Sequence, residues 1–308
     1  MMGALTVATR GGDLAIAQTE IVIAALKKTH PGLKIRIKKV TTEGDRDRRT
    51  ALWNLKSTGF FTSQVEDAVL AGQADFAVHS FKDLPTRQRD GLTIAAVCQR
   101  QFPEDCLISA RPVGSIDQLG PSAKIGTSSL RRLVQIKRLR LDLTALPVRG
   151  NISTRIRAME AGEYDAIILA RAGIERLQLT DKVSFCFDPG KFVPAPAQGA
   201  LAVQTRTDDA ATNKLISAID DEKTRMVTFA ERQILTTTQC GCHAPVGAFA
   251  KITGDDIIID AFISDLEGSS FIRQQITAPA AKAMQVAEKL AADLLEAGGR
   301  EILQKLKK

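Results

Sequence analysis

The chain of 308 residues is longer than one hydrophobic core usually serves, so two or three domains are expected. With 44% hydrophobic and 25% charged residues the composition excludes global disorder, and no apolar run approaches the length that spans a bilayer. The net charge of +7 points to an anionic partner, and an N-terminus without a basic region and a long apolar run leads us to expect a cytoplasmic protein.

Leu5 to Thr9 reads as a strand. Asp13 to Lys28 reads as a helix, with Leu14, Ala17, Ile21 and Ala25 at helical spacing and Pro31 just beyond. Lys34 to Thr41 alternates like a strand, Phe61 to Ala71 is helical, and Ala74 to His79 is a buried strand. The pattern then restarts: strand Lys124 to Gly126, helix Leu130 to Leu139, strand Leu143 to Val148, helix Ile152 to Ala161, strand Asp165 to Leu169. This alternation predicts βαβ units on mostly parallel sheets. A stretch rich in Pro and Gly, Pro189 to Pro196, suits a crossover between domains. The last third changes character. One long helix, Asp221 to Thr237, is followed by alternating stretches at Val246 to Ile252, Ile257 to Ile263 and Phe271 to Thr277, then a helix from Ala280 to Ala297. That order predicts a small antiparallel sheet with a helix on one face.

The five cysteines, Cys98, Cys106, Cys186, Cys240 and Cys242, are an odd number, which argues against a disulfide framework. Cys98, Cys106 and Cys186 each sit in an apolar run and read as small core residues.

Three constellations could carry chemistry. Between Arg131 and Arg157 stand seven Arg and one Lys against a single acid, Asp142. Arg131 and Arg132 follow Thr127-Ser128-Ser129 where a strand hands over to a helix, and Arg149-Gly150-Asn151, with Arg155 one turn later, repeats the arrangement. Backbone N–H groups at such junctions favour anions, and Arg grips carboxylates bidentately. The two junctions should open on one edge of the sheet, so a small molecule bearing several carboxylates or phosphates is expected. A solvated basic face is the alternative, and Lys137, Arg138 and Arg140 fit it. Nucleic acid is disfavoured, because one Trp and one Tyr leave little to stack on bases.

The second constellation is Val78 to Pro85, where a buried strand ends in His79-Ser80-Phe81-Lys82-Asp83. The following Leu84-Pro85 holds the backbone extended and could aim the Asp83 carboxylate at a developing cation. Local turn hydrogen bonds from Lys82 and Asp83 are the plainer reading. The third is Cys240-Gly241-Cys242-His243-Ala244-Pro245-Val246-Gly247, a loop between helix and strand. C-x-C-H with no second cluster is a poor zinc site, and no C-x-x-C is present for redox work, so no metal is expected. An attachment or nucleophilic thiol and an inert loop cysteine both remain open.

Together these segments resemble the porphobilinogen deaminase family. The resemblance rests on Phe76 to Pro85, Ile125 to Arg132, Val148 to Asn151 with Thr154-Arg155, Gly162 to Ala170, Pro194 to Ala200 and the Cys242 loop, almost end to end. It implies an α/β fold of two periplasmic-binding-protein-like domains plus a small α+β C-terminal domain. The implied division is 1–99 with 198–217, then 100–197, then 218–308. It implies polymerisation of four porphobilinogens into the linear tetrapyrrole hydroxymethylbilane with loss of ammonia, on a dipyrromethane cofactor joined by a thioether to Cys242. Asp83 would be the catalytic carboxylate and would contact the cofactor with Lys82, Ser128, Ser129, Arg131 and Arg132. Arg10, Thr127, Arg149, Arg155, Arg176 and Gln198 would bind substrate. The family further suggests a cytoplasmic monomer with no nucleic-acid or membrane partner. Two segments depart from the family pattern. Arg10-Gly11-Gly12-Asp13 loses a hydroxyl at Gly12 and gains an acid at Asp13, and Ser57 to Ser63 carries Thr58 and Ser63 where the family has lysines, with Lys56 two positions earlier. These changes raise the alternative of a divergent member that binds porphobilinogen or tetrapyrroles and elongates them weakly. A plain solute-binding protein is the third reading, against which the Cys242 domain counts.

Overall fold

The computed structural model describes residues 4–42, 62–239 and 244–306. In chain order its strands are β1 (Leu5–Arg10), β2 (Ile35–Val40), β3 (Phe76–Ser80), β4 (Leu92–Val97), β5 (Asp105–Ser109), β6 (Lys124–Gly126), β7 (Thr144–Leu146), β8 (Ala166–Ala170), β9 (Phe185–Cys186), β10 (Leu201–Arg206), β11 (Val246–Thr253), β12 (Asp256–Ser264) and β13 (Phe271–Pro279). The helices are α1 (Asp13–Thr29), α2 (Ser63–Leu70), α3 (Leu130–Leu139), α4 (Ile152–Glu160), α5 (Arg171–Arg176), α6 (Ala210–Ile216), α7 (Glu222–Thr238), α8 (Ala283–Leu294) and α9 (Arg300–Leu306). They form two compact units, one of residues 4–42, 62–101 and 199–225, the other of 102–198, 226–239 and 244–306.

The first unit is built on a five-stranded sheet in the order β2-β1-β3-β10-β4. β1 runs parallel to β2 and β3, because α1 and the chain through α2 carry it back each time. α1 buries Val22 and Leu26 against that sheet and ends just before Pro31, which cannot continue a helix. β10 is antiparallel to both its neighbours, and Leu201 pairs with Ser80, so it begins where β3 ends.

The second unit holds a sheet of the same plan, β7-β6-β8-β5-β9, and a separate three-stranded sheet, β11-β12-β13. β6 is parallel to β7 and β8, whereas β5 is antiparallel to β8 and β9. Asp105 pairs with Ala170, so the N-terminal end of β5 lies level with the C-terminal end of β8. The C-terminal meander is fully antiparallel and packs α8 on one face, with Ile257, Ile259, Ala261, Ala287, Leu290 and Leu294 in its core. Glu231 of α7, wholly buried, accepts from Ala197 N at 2.6 Å and from Ala250 N at 2.7 Å, tying the Pro/Gly segment to β11. That contact holds Ala197 at φ 61°, a left-handed conformation costly for a residue with a Cβ. Among the described residues no helix is long and apolar enough to cross a membrane.

The fold class is as expected: two α/β sheets and a small antiparallel C-terminal sheet under a helix. Three details refine or correct the expectation. Each five-stranded sheet has four strands in one direction and a single reversed one, β10 in the first and β5 in the second, because the chain enters that strand from the other sheet rather than through a βαβ crossover. The final helix stops at Leu294, passes through a π-turn with Gly298 at φ 110°, and restarts as α9. Cys186 is exposed on a two-residue edge strand rather than in a core, while Cys106 is buried as expected and Cys98 partly so.

Candidate active site

In the first unit the C-terminal ends of the parallel strands share one edge. Arg10 closes β1 there, and a single 3-10 turn, Phe81–Asp83, follows β3. Phe81 anchors the turn by full burial and by its N–H to Ala200 O at 3.1 Å. Leu84 is extended ahead of Pro85, and Asp83 stands exposed with Lys82 half-buried beside it. Ser80 accepts from Gln18 Nε2 at 2.7 Å, locking the strand end to α1. Beneath the edge lies a buried polar chain. His79 Nε2 is 3.2 Å from Gln204 Oε1, and Gln204 Nε2 donates to Glu66 Oε1 at 3.1 Å and to Gln88 Oε1 at 3.0 Å. An amide oxygen can only accept, so the His79 proton sits on Nε2. Burial pulls the His79 pKa down to about 4, against the Gln204 hydrogen bond that raises it, and the ring is neutral at pH 7.

In the second unit the corresponding edge is basic. Ser129 is the N-cap of α3, and the Ser128 hydroxyl bonds Val148 O at 2.6 Å, joining the end of β6 to the chain leaving β7. Thr127 is buried, and its Oγ1 accepts from Ser129 N at 3.3 Å. Gly150, at φ 92°, makes the turn into α4, where Asn151 Oδ1 caps Thr154 N at 2.8 Å. Arg155 Nε donates to Gly150 O at 2.9 Å, and the Nη2 of Arg149 is buried with no acceptor among the described residues. Burial, followed by the like charges of Arg132 and Arg149, lowers the Arg155 pKa to about 10. The Arg132 and Arg149 guanidiniums therefore both act on Arg155 at this edge.

Arg131 and Arg132 are held differently. They are 5% and 7% exposed, and both meet Asp105, a wholly buried carboxylate. Arg132 reaches Asp105 Oδ1 from Nε at 3.0 Å and from Nη2 at 2.7 Å, and its Nη1 donates to Ile168 O at 2.9 Å. Arg131 Nη2 lies 2.8 Å from Asp105 Oδ2, and its Nη1 donates to Val193 O at 2.7 Å. Burial alone would raise the Asp105 pKa. The Arg131 and Arg132 charges, with hydrogen bonds from Arg132 and Gln198, outweigh burial and hold it well below the usual carboxylate range.

A family model described as porphobilinogen deaminase, dipyromethane cofactor binding domain, matches residues 5–214, and the porphobilinogen deaminase C-terminal domain model matches 226–296. The chain belongs to the porphobilinogen deaminase family. It is 41% identical to the porphobilinogen deaminase of Deinococcus radiodurans, over 98% of this chain and 99% of that one. It is 40% identical to that of Campylobacter curvus, over 99% and 98%. Among solved structures the methionine binding protein MetQ is a looser neighbour, with 13% identity, 72% of this chain and 92% of that chain covered, and a TM-score of 0.45.

Both edges fall inside the stretch matched by the cofactor-binding model of the porphobilinogen deaminase family, and Cys242 falls inside the C-terminal one. Cys242 and its neighbours Cys240 to His243 lie outside the described residues, as do Ser57 and Thr58. Arg176, the last residue of α5, is half-buried. Gln198, expected in the first region and to bind substrate, is wholly buried in the second unit. Its Nε2 donates to Pro103 O at 2.8 Å and to Asp105 Oδ1 at 3.0 Å. At Gly12 the missing hydroxyl is visible in the structure: this residue is the N-cap of α1 and gives it no side-chain hydrogen bond. Sequence reasoning missed Asp105. Its only signal was an acid opening a short apolar run, Asp105 to Ile108, and an antiparallel strand brings that start to the carboxyl edge.

Proposed function

We propose that this chain joins four porphobilinogen molecules head to tail into hydroxymethylbilane, releasing ammonia at each addition, in tetrapyrrole biosynthesis. The observation that carries the reading is the crowding of Arg132 and Arg149 around Arg155, with Arg155 driven down to about 10 and a buried Arg149 donor unmatched among the described residues. Each pyrrole of substrate and product bears an acetate and a propionate, about two negative charges at neutral pH. A polycarboxylate relieves the repulsion among these guanidiniums and supplies the missing acceptor, so the residues present fit a dipyrromethane as well as a growing chain. When bound, the dipyrromethane supplies the primer to which substrate units are added.

The chain's own groups divide the work. Arg149 and Arg155 bind carboxylates directly, with Arg131, Arg132, Ser128, Ser129 and Thr127 shaping the same edge. In the first unit Arg10 would bind substrate carboxylate, and Asp83, exposed at the end of its turn, is free to approach the aminomethyl carbon as ammonia leaves. A fixed carboxylate there stabilises the cation that develops on the substrate and orients pyrrole N–H groups. Ammonia departs with the electron pair of the carbon–nitrogen bond, the free α-carbon of the accepting pyrrole supplies the pair for the new bond to the cationic methylene carbon, and that α-carbon then loses its proton. Lys82 and Arg176 are assigned supporting contacts to carboxylate. Cys242 is the attachment residue, by its place in the family loop.

We also propose that the second unit comprises two domains, since its two sheets have separate cores, one around Leu107, Ile125 and Ile168 and one around Ile257, Ile259 and Leu290. A cytoplasmic monomer follows the family and is checked by sedimentation and fractionation. The deciding experiment is the intact mass of the purified, denatured protein, followed by peptide mapping. An excess equal to two porphobilinogens less two ammonias, on the peptide containing Cys242, is expected. Asp83→Asn should keep that mass and lose elongation. Normal turnover in Asp83→Asn removes the carboxylate from the chemistry, and an unmodified mass after incubation with porphobilinogen removes the attachment.

A further inference from the structure

We propose that Asp105 is a positioning residue for the reaction, orienting Arg131 and Arg132 toward carboxylate ligands through a buried three-donor clamp that includes Gln198. The inference rests on the reading of the arginine edge as the carboxylate-binding surface. Asp105 Oδ1 accepts from Arg132 Nε, Arg132 Nη2 and Gln198 Nε2, while Oδ2 faces Arg131 Nη2. The far side of each guanidinium is pinned by a main-chain oxygen, Ile168 O for Arg132 and Val193 O for Arg131. Val193 is itself fixed, since its N–H donates to Gln135 Oε1 at 2.7 Å and Gln135 Nε2 returns to Val193 O at 3.1 Å. Each guanidinium is therefore held at two ends by buried groups.

An arginine has five N–H donors. Three of those on Arg132 and two of those on Arg131 are committed to these contacts, and the remainder point wherever the clamp leaves them. A planar donor fork is useful only when aimed, because a misplacement on the scale of 1 Å costs up to about a hundredfold in rate. Asp105 also sets the charge. Arg131, Arg132, Arg149 and Arg155 carry four positive charges, and Asp105 cancels one.

Charge and aim make opposite predictions for one substitution. Asp105→Asn keeps the shape and removes the anion. If Asp105 merely dilutes the positive field, the variant binds porphobilinogen more tightly. If it merely supports the fold, thermal stability falls while the KM of the folded, cofactor-loaded molecules stays unchanged. If it aims the arginines, KM rises despite the added positive charge. We expect KM for porphobilinogen to rise about tenfold, equivalent to about 1.4 kcal/mol of binding. We also expect the fraction of molecules carrying the cofactor mass, read by intact mass spectrometry, to fall. A lowered or unchanged KM overturns the proposal.

Should Asp105→Asn fail to fold, Gln198→Leu removes one of the donors on Oδ1, and KM should rise two- to threefold with cofactor occupancy read in parallel; no change overturns the proposal. Arg149→Gln, measured beside both, separates this inference from the reading beneath it. A raised KM in Arg149→Gln with none in the Asp105 and Gln198 variants removes the positioning role alone. No change in any of the variants removes the arginine edge as the binding surface.

Discussion

Under the carboxyl edge of the first sheet, neutral side chains are strung from His79 through Gln204 to Gln88, with the Glu66 carboxyl accepting from the same amide. Under the carboxyl edge of the second, Asp105 holds two buried arginines. The edges follow the same strand plan and are set up by opposite means. The first keeps His79 unprotonated beside amides and one buried carboxyl, Glu66, so its cost appears on acidification. The second keeps full charge inside and satisfies it, so its cost appears when one partner is removed. In the proposed reaction, a support without buried cations suits an edge where a single carboxylate, Asp83, would meet a developing cation. A buried ionic one suits an edge that would present arginines to a polyanion without letting them swing.

The largest expected effect is at the ionic support. Asp105→Leu leaves two guanidiniums buried without a counter-charge and should destabilise the protein by about 3–5 kcal/mol, read by denaturant unfolding. Replacing Arg131, Arg132 and Asp105 together with Met, Met and Leu should recover most of that loss, because the desolvation of all three charges disappears with them. The triple variant should nonetheless carry little cofactor by intact mass. Recovery of both stability and cofactor would show that the ionic support serves the fold alone.

The support around His79 should give way next. The folded His79 pKa is lowered to about 4 from 6.5, so between those values the unfolded chain binds the proton and the folded one does not. Stability is therefore complete above pH 6.5 and falls as pH drops toward 4, by up to about 3 kcal/mol. Asp105 behaves differently. Its folded pKa lies below the ordinary carboxylate value, so its contribution is intact above that value and lost only on going below it. Hydrogen exchange at pH 5 should accordingly show protection lost on β3 and β10 before β5 and β8. In His79→Gln, which offers an amide N–H to Gln204, the loss between pH 6.5 and 4 should vanish. Equal loss on both sheets would dissolve the contrast.

The sequence shows the contrast only in part. α3 was legible to the residue, because Thr127-Ser128-Ser129 marks its start and its last turn carries Lys137 and Arg138, which favour a helix C-terminus. β1, β2 and the C-terminal meander were legible from alternation. β5 and β10 were not, since DCLIS and LAVQTR are short runs whose partners lie far along the chain. Missing β5 meant missing Asp105, and with it the reason that Arg131 and Arg132 are buried. Gln198 was picked out by its segment, yet its amide points to Asp105, which only the antiparallel pairing of β5 brings within reach. Periodicity reports which face a residue takes, and it is silent on which buried partners meet across a sheet.

One helix on each edge, α4 and α1, also begins differently, and here the expected effects are smallest. α4 has a side-chain cap, Asn151 Oδ1 to Thr154 N at 2.8 Å, and Asn151→Ala should cost about 1 kcal/mol. α1 starts at Gly12 with no such bond, although Asp13 in its first turn complements the helix dipole. A Cβ at Gly12 meets no atom within 4 Å, and its φ of −78° and ψ of 152° suit any residue. Gly12→Ser should therefore be accommodated without strain and add a few tenths of a kcal/mol, about what separates Ser from Gly at an N-cap. If stability rises by that amount while KM is unchanged, the missing hydroxyl matters to the helix alone. If KM for porphobilinogen falls as well, Gly12 marks a donor absent from the first edge, and the basic second edge carries the larger share of carboxylate binding in this chain.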